Sequence, residues 1–137
     1  MPTEQGAARG ALERATRGAL LGWHKALGAL ILVYGLWRVG WRLWAGFPAS
    51  AATMPPRQER AAKIVHWALL AAVVLVPLSG VVMTLLGGRP LDVLGLVIPA
   101  LGEIEWLHEG AELVHGLAGK AVVLLLVLHI GGALKHQ

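Results

Sequence analysis

The sequence predicts an all-α integral membrane protein, built as a bundle of three transmembrane helices. Of its 137 residues, 56% are hydrophobic and only 15% are charged, which is unusual for a water-soluble domain. Three apolar runs, at about residues 21–44, 63–86 and 112–135, are each long enough to cross a bilayer as a helix. Proline-rich or acidic segments separate these runs, so we expect three spans joined by two connections.

The first 19 residues are expected to form a polar tail ahead of the membrane domain, which covers residues 20–137. This tail is rich in Gly and Ala and weakly basic, and it lacks the apolar core of a signal peptide. The first span follows, with Trp23 near one end and three further tryptophans near the other. Tryptophan is enriched at both membrane–water interfaces, so this pattern also indicates a spanning helix.

The connections and the second span have features of their own. Residues 47–58 contain three prolines and are predicted to be a loop. Pro77 lies inside the second span and is predicted to kink it, because proline removes one backbone hydrogen bond. The connection over residues 87–112 is acidic, and its segment LDVLGLVIPALG is too short to span. We expect an interfacial or re-entrant piece there.

Charge predicts the orientation of the chain and excludes several classes of function. The excess of Lys and Arg between the first two spans predicts a cytoplasmic first loop, with His24 and His115 on the outer side and His66 and His129 on the inner side. The basic residues flank apolar segments, so nucleic acid is not expected as a partner. The chain has no cysteine, which excludes disulfides and thiolate sites. No catalytic triad or phosphate-binding loop indicates hydrolysis or nucleotide use.

Two histidines in the third span are the main candidates for a functional site. His115 and His129 are fourteen residues apart, which on a helix is about four turns and a rise of about 21 Å. Both therefore face one side at two depths. Ionisable residues within membranes are mostly functional, and imidazole is a common axial ligand of haem iron. We predict haem ligation, with interhelical hydrogen bonding as the alternative. His108 and His136 are expected to be solvated.

His24 is the best candidate partner for His115, because both are expected at the outer end of their spans. Gly28 and Gly119 each follow one of these histidines by four residues, so the two glycines lie on the same helix faces as the histidines. A missing side chain there would let a flat macrocycle approach the backbone. Together with Gly28, Gly35 would form a bare strip, without side chains, down the first helix. Close packing of helices through small residues is the alternative reading.

The partner of His129 is less clear from the sequence. His66 is expected at the same depth in the membrane as His129 and could be its partner. A structural role beside Trp67 would explain a histidine at position 66 equally well. Lys25, Arg38 and Arg42 are candidates to pair with the propionates of a haem, since charge-assisted hydrogen bonds to carboxylates are strong. These long side chains could also simply extend to the membrane interface by snorkelling, which would explain their positions equally well.

Several segments together resemble the bacterial cytochrome b561 family. They are WHKALGALILVYGLWRVGWRL, the second span opening at His66, GRPLDVLGLVIP and HGLAGKAVVLLLVLHIGGALKHQ, in the family's order and with similar loop lengths. The resemblance implies a four-helix inner-membrane cytochrome with two b-type haems that passes electrons between quinol and a partner or superoxide. It also implies that His24, His115 and His129 are haem ligands.

This chain departs from the family pattern at its N-terminal end. The resemblance implies a helix before WHK that supplies the partner of the position of His129, whereas here the polar residues 1–19 stand in that place. The sequence therefore lacks the first of the family's four helices, and we expect either a truncated or mis-started copy or a genuine three-helix protein. One haem b, between His24 and His115, is expected. A second haem would need His66 or a helix from another subunit.

The expected function is that of a membrane-bound b-type cytochrome of the respiratory chain in the bacterial inner membrane. It would be an electron carrier between the quinone pool and a partner or superoxide, and quinol-dependent oxidoreductase activity is an open question. Expected partners are membrane lipid, quinone or quinol, and either a second copy or a redox partner subunit. The alternatives are a cytochrome subunit of a hydrogenase or formate dehydrogenase, a haem-free protein using histidines for metal or proton transfer, and a non-functional remnant.

Overall fold

Three long helices dominate the computed structural model, which describes residues 1, 3–49 and 53–135. They are α1 (Glu4–Ala45), α2 (Pro56–Leu85) and α3 (Glu105–Lys135). By length and composition all three can cross a membrane, since the best 18-residue windows have mean hydropathies of 1.5, 2.4 and 2.1. The prediction of an all-α bundle with three membrane spans is confirmed.

Helix α1 is longer than the span predicted for it. It begins at Glu4, so most of the predicted polar tail is helical and continuous with the span. Thr3 caps this end, because its Oγ1 accepts a hydrogen bond of 3.2 Å from the backbone N–H of Gly6. The 42 residues of α1 make a helix about 63 Å long. A hydrocarbon core is only about 30 Å thick, so the polar first turns extend beyond it.

Helix α2 is the centre of the bundle. Both α1 and α3 pack against it, whereas among the described residues no Cα of α1 comes within 8 Å of a Cα of α3. A cleft therefore separates α1 from α3, with α2 as its floor. This cleft is where side chains from all three helices meet.

Helix α1 approaches α2 closely at Gly35. Pro77 has no N–H to bond the carbonyl of Val73 four residues earlier, and Gly35 lies against that carbonyl. A Cβ on Gly35 would be 2.6 Å from Val73 Cγ1 and 2.9 Å from Val73 O, so only glycine fits. The prediction that Gly35 belongs to a bare strip for a macrocycle is therefore wrong, and the alternative of helix packing holds at this position.

The segment predicted to be interfacial or re-entrant is a β-hairpin. Strands β1 (Leu91–Val93) and β2 (Leu96–Ile98) pair antiparallel, joined by Leu94 and Gly95 with φ of 55° and 92°. Two central residues with positive φ are typical of the type I′ turn that joins tightly connected strands. Strand β1 packs against α1 and α2, and Leu91 is only 2% exposed. The hairpin therefore closes one end of the bundle.

Helix α3 also begins earlier than predicted, at Glu105. Backbone hydrogen bonds tie the chain just before it to the end of α2. Leu101 N donates to Leu85 O at 3.0 Å, and Ile104 N donates to Leu86 O at 2.9 Å. These bonds set where α3 starts and place His108 in its first turn, beside the C-terminal end of α2.

The outer surface of the bundle is apolar. Among the described residues the buried hydrophobic side chains are Ala26, Leu85 and Leu91, while most Leu, Val and Trp side chains of the helices are exposed. A water-soluble domain would bury such side chains in a core. Their exposure here is what three helices surrounded by lipid require.

Candidate functional site

Two histidines face each other across the cleft between α1 and α3. The ring centroids of His24 and His115 are 5.9 Å apart, and the ring planes are 78° apart. We call these residues the first histidine pair. They meet although the backbones of α1 and α3 do not come close, so the cleft is bridged by two imidazoles.

Hydrogen bonds to α2 orient the ring of His115. Its Nδ1 lies 2.8 Å from the carbonyl oxygen of Val76 and 3.1 Å from Ser79 Oγ. Ser79 Oγ in turn donates to Val76 O at 2.6 Å. Since a carbonyl can only accept, the proton of a neutral His115 ring lies on Nδ1. The Nε2 lone pair is therefore free to bind a metal.

Gly80 of α2 lies against the same His115 ring. A Cβ on Gly80 would be 3.0 Å from His115 Cε1 and 3.2 Å from His115 Nδ1. This is tighter than ordinary van der Waals contact, so a side chain at position 80 would displace the ring. Gly80 therefore allows the ring of His115 to lie against α2 within reach of Val76 O.

A narrow pocket opens beside the first histidine pair. Its walls come from α1, α2, β1 and α3, and the lining includes His24, Lys25, Gly28, Pro77, Gly80, Thr84, Leu91 and His115. A Cβ on Gly28 would meet nothing within 4 Å, and the same is true of Gly119. Gly28 thus leaves open space next to both histidines, whereas Gly119 is outside the residues that line this pocket.

A second pair of histidines lies at the other end of the bundle. The ring centroids of His66 in α2 and His129 in α3 are 5.7 Å apart, with ring planes at 69°. We call these residues the second histidine pair. They line an open pocket of about 530 Å³ that Arg38 and Arg42 of α1 also line. The structure thus brings His129 next to His66, which the sequence left undecided.

The arginines of this pocket have no carboxylate partner within the described part of the chain. The ion pairs found there join Lys63 to Glu59 at 2.8 Å and His108 to Glu112 at 3.8 Å. The guanidinium of Arg42 instead lies 5.4 Å from the ring centroid of Phe47. The pocket therefore offers positive charge to an anionic ligand.

His108 differs from the four paired histidines. Its Nδ1 lies 2.7 Å from the carbonyl oxygen of Met83 in α2, and its side chain is 27% exposed. The prediction that it is solvated holds only in part, because α2 covers part of the ring. No aromatic contact joins it to another described histidine. His136, also predicted to be solvated, lies outside the described residues.

The spacing of both pairs comes close to what a shared metal ion requires. An imidazole nitrogen binds a transition metal at about 2.0–2.1 Å, and the ring centre lies roughly 1.2 Å behind it, so two rings on opposite sides of one ion have centroids about 6.4 Å apart. The observed 5.9 and 5.7 Å are within about 0.7 Å of that value. No group of three or more possible ligands occurs among the described residues, so each site offers two ligands. Two imidazoles are the axial set of a haem iron.

Sequence reasoning missed the residues that orient His115. Ser79, Gly80 and the Val76 carbonyl were not candidates, although Pro77, Ser79 and Gly80 cluster within the second span. Small and polar residues in an apolar span mark places where helices approach closely. This cluster was therefore the available signal, but only the structure shows which helix approaches it.

Comparison with known proteins gives a match over almost the whole chain. The family described as prokaryotic cytochrome b561 matches residues 3–137. Cytochrome b561 homolog 2 of Escherichia coli (strain K12) is 30% identical over 116 residues, which cover 83% of this chain and 62% of that protein. The chain thus spans less than two thirds of that relative's length. The family match includes all three helices and both histidine pairs.

Proposed function

Because the chain belongs to the prokaryotic cytochrome b561 family, whose members bind b-type haem, we propose that it relays electrons within the membrane through a haem held by the first histidine pair. His24 and His115 are the axial ligands in this proposal. The chain is a multi-pass membrane protein, and we assign it to the bacterial inner membrane.

The observation that carries the proposal is the orientation of His115. Its Nδ1 is held by Val76 O at 2.8 Å, which leaves Nε2 as the atom available to a metal. Metal-ligating histidines almost always donate their other N–H to a carbonyl, carboxylate or water. His24 faces this ring from α1 at a centroid distance of 5.9 Å, as a second axial ligand would.

The chain's residues have separate tasks at this site. When bound, haem supplies a one-electron Fe(III)/Fe(II) couple, and two imidazoles leave its iron no open position for a substrate. The hydrogen bond to Val76 O makes the His115 imidazole a more basic ligand, which favours the ferric state and lowers the midpoint potential. Gly28 adds no side chain to the pocket beside these ligands, and the lining of that pocket is mainly apolar.

Positive charge at the rim of the pocket supports an anionic cofactor. Lys25 lines the pocket beside His24. Haem carries two propionates, and charge-assisted hydrogen bonds to carboxylates are strong. We assign Lys25 to this role at the first site.

Quinol is the proposed electron donor, because it dissolves in the membrane and reaches the bundle from the lipid. One quinol gives up two electrons and two protons on oxidation to quinone. A haem held by His24 and His115 would supply a one-electron acceptor, so the two electrons would have to leave in separate transfers, and the two protons would pass to water at the membrane surface. A redox partner protein is the proposed acceptor.

Haem content of histidine variants tests the proposal. We expect the detergent-purified protein to show the reduced-minus-oxidised spectrum of a low-spin b haem, quantified as pyridine haemochrome. His115→Ala should lower the haem content by one per chain. His108→Ala is the matched control, because His108 lies on the same helix and also bonds a carbonyl of α2, but it faces no second histidine. Its haem content should equal that of the wild type.

The outcomes separate a cytochrome from the other classes of function. A folded wild-type protein that contains no haem when expressed with an ample haem supply would contradict the proposal and favour metal or proton transfer by the histidines. Equal haem content in His115→Ala and the wild type would contradict the assignment of the ligand. Reduction of the bound haem by a water-soluble quinol analogue, followed at the α band, tests the donor separately.

A further inference from the structure

We propose that a pocket between α1 and the hairpin binds the head group of quinol, with Trp23 against its ring and Asp92 accepting a hydrogen bond from its hydroxyl. This inference rests on the proposed function, in which quinol is the electron donor, and it names where that donor binds. The pocket measures about 230 Å³. We call it the quinol pocket.

The walls of the quinol pocket suit one aromatic ring. Helix α1 contributes Trp23 and three small residues, Ala19, Gly22 and Ala26, which leave room beside the indole. The indole is 60% exposed, and an aromatic face is a favourable surface for another ring. Sites that enclose a whole drug-sized ligand measure roughly 300–1,000 Å³. This smaller pocket therefore suits the head group of quinol, whose apolar tail would stay in the lipid.

Asp92 gives the quinol pocket its hydrogen-bond acceptor. Among the described residues that line the pocket, it is the only one with a titratable side chain. Its Oδ1 accepts a hydrogen bond of 2.8 Å from the backbone N–H of Gly95, which fixes the carboxylate at the turn of the hairpin. Neither ion pair in the described part of the chain involves Asp92. A carboxylate has acceptor sites for several donors, and quinol offers two O–H groups.

Each of these two residues also has a simpler explanation. Tryptophan anchors helices at the membrane interface, and aspartate in a turn commonly bonds the backbone a few residues on. Neither role requires the two side chains to line one pocket. The fold nevertheless brings Trp23 of α1 and Asp92 of β1 together there, although they are far apart in sequence.

The quinol pocket lies next to the first histidine pair. On α1, Ala26 lines the quinol pocket, whereas the preceding Lys25 lines the pocket beside the histidines. On β1, Asp92 and the preceding Leu91 are divided in the same way. Ala26 and Leu91 are only 4% and 2% exposed. A layer of buried side chains therefore separates the two pockets.

This arrangement separates the protons of quinol from its electrons. Oxidation of one quinol to quinone releases two electrons and two protons. The proton of the hydroxyl bonded to Asp92 passes to the carboxylate and then to water, because Asp92 is exposed, and the second proton leaves directly to water. The oxidant is the one-electron acceptor that the proposed function assigns to His24 and His115. It takes the two electrons in separate transfers, and the redox partner protein reoxidises it after each.

Photolabelling tests the binding site without any need for electron transfer. A photoreactive azidoquinone is added to the haem-loaded protein in detergent and illuminated, and the labelled peptides are identified by mass spectrometry. We expect the label within residues 19–26 and 91–95, and we expect an excess of unlabelled quinone to abolish it. Competable labelling only elsewhere, for example beside Arg38 and Arg42, would overturn the proposal. Labelling that unlabelled quinone does not reduce would overturn it as well.

Asp92→Asn tests the acceptor while retaining the turn. The side-chain oxygen of asparagine can still accept the Gly95 N–H, but its other group is an NH₂ donor instead of an acceptor. We expect kcat/KM for haem reduction by a quinol analogue to fall roughly ten- to hundredfold, as for loss of a hydrogen bond to a charged group. Glu109→Gln is the matched control, since its carboxylate is also exposed but is not among the residues that line the pocket. Equal kcat/KM in both variants would overturn the role of Asp92.

Trp23→Leu tests the aromatic contact. We expect KM for the quinol analogue to rise about two- to tenfold, since aromatic contacts contribute a modest free energy, while kcat is retained. Trp106→Leu is the matched control, because this tryptophan is 73% exposed and begins α3 near the same end of the bundle, but does not line the pocket. A tryptophan that served only as an interfacial anchor would give the same KM in both variants, which would overturn the contact.

Failure of the quinol pocket and failure of the proposed function give different results. Size-exclusion chromatography and haemochrome quantitation should show that all four variants are folded and hold as much haem as the wild type. If a quinol analogue reduces the wild type, Asp92→Asn and Trp23→Leu with equal kcat/KM, the quinol pocket is overturned and the proposed function stands. A folded wild type without haem would overturn the proposed function, whereas photolabelling would still decide whether quinone binds between α1 and the hairpin.

Discussion

The Nδ1 atom of His115 in α3 lies 2.8 Å from the backbone carbonyl oxygen of Val76 in α2. This hydrogen bond joins two helices and determines which nitrogen of the ring stays free. Its acceptor belongs to the backbone, so no substitution of Val76 removes that acceptor. While His115 is retained, the bond can be broken only by moving its ring, and the residue beneath the ring therefore controls it.

Gly80→Ala should weaken the first site by displacing His115. The new Cβ would lie 3.0 Å from His115 Cε1 and 3.2 Å from Nδ1, so the ring must move away from Val76 O. We expect partial loss of one haem, and a higher midpoint potential for the haem that remains, because the ligand becomes less basic. Gly110→Ala in α3 is the control, since a Cβ there meets nothing within 4 Å. Equal potentials in both variants would contradict the role of the hydrogen bond.

Gly28→Leu should block haem binding without unfolding the chain. In the protein alone a Cβ on Gly28 meets nothing within 4 Å, yet Gly28 lines the pocket beside the first histidine pair. A leucine there would occupy the space left for the macrocycle, so haemochrome quantitation should show about one haem fewer per chain. Gly40→Leu on the same helix, also in open space, should keep the full haem content. If both variants bind haem equally, the macrocycle does not lie against Gly28.

Gly35→Ala should destabilise the contact between α1 and α2. Its Cβ would be 2.6 Å from Val73 Cγ1 and 2.9 Å from Val73 O, and overpacking of this kind typically costs about 1–3 kcal/mol. Gly40→Ala gains the same helix propensity without the clash. The Gly35 variant should therefore unfold about 1–3 kcal/mol more easily than the Gly40 variant in a denaturation series in detergent. Indistinguishable transitions would mean that α1 can shift away from Val73 at little cost.

Lys25→Gln should lower the midpoint potential of the haem at the first site. Reduction adds a negative charge, and a nearby cation stabilises the reduced form. Removing that cation should lower the potential by roughly 20–60 mV in a partly screened environment. Lys135→Gln, at the far end of α3, should leave it within error of the wild type. A potentiometric titration measures both variants, and an unchanged value for Lys25→Gln would place this side chain away from the cofactor.

Much of the fold could be predicted because hydrophobicity alone specifies a membrane span. The three apolar runs and the proline-rich break between the first two correspond to α1, α2 and α3. The ends of the helices were predicted less well. Polar residues can continue a helix outside the lipid, so hydropathy does not show that α1 begins at Glu4 or α3 at Glu105. The hairpin at Leu91–Ile98 depends on a turn with positive φ at Leu94, a residue that rarely adopts such a conformation.

The candidate site could be predicted in part. Helix geometry by itself places His115 and His129 on one side of α3 at two depths. The expected proximity of His24 and His115 agrees with their centroid distance, because both lie at the same end of their spans. Gly35 shows the limit of this reasoning, since spacing along α1 cannot tell a glycine that faces a pocket from one that faces Val73.

The sequence by itself determined that this protein spans a membrane with three helices and carries histidines at two levels, because hydrophobicity, proline and the helical repeat are local properties of the chain. The tertiary structure decided which histidines meet. The rotation of each helix about its own axis depends on contacts such as Gly35 with Val73 and Gly80 with His115. In the folded chain His129 of α3 lies opposite His66 of α2, and no pattern within one helix contains that information.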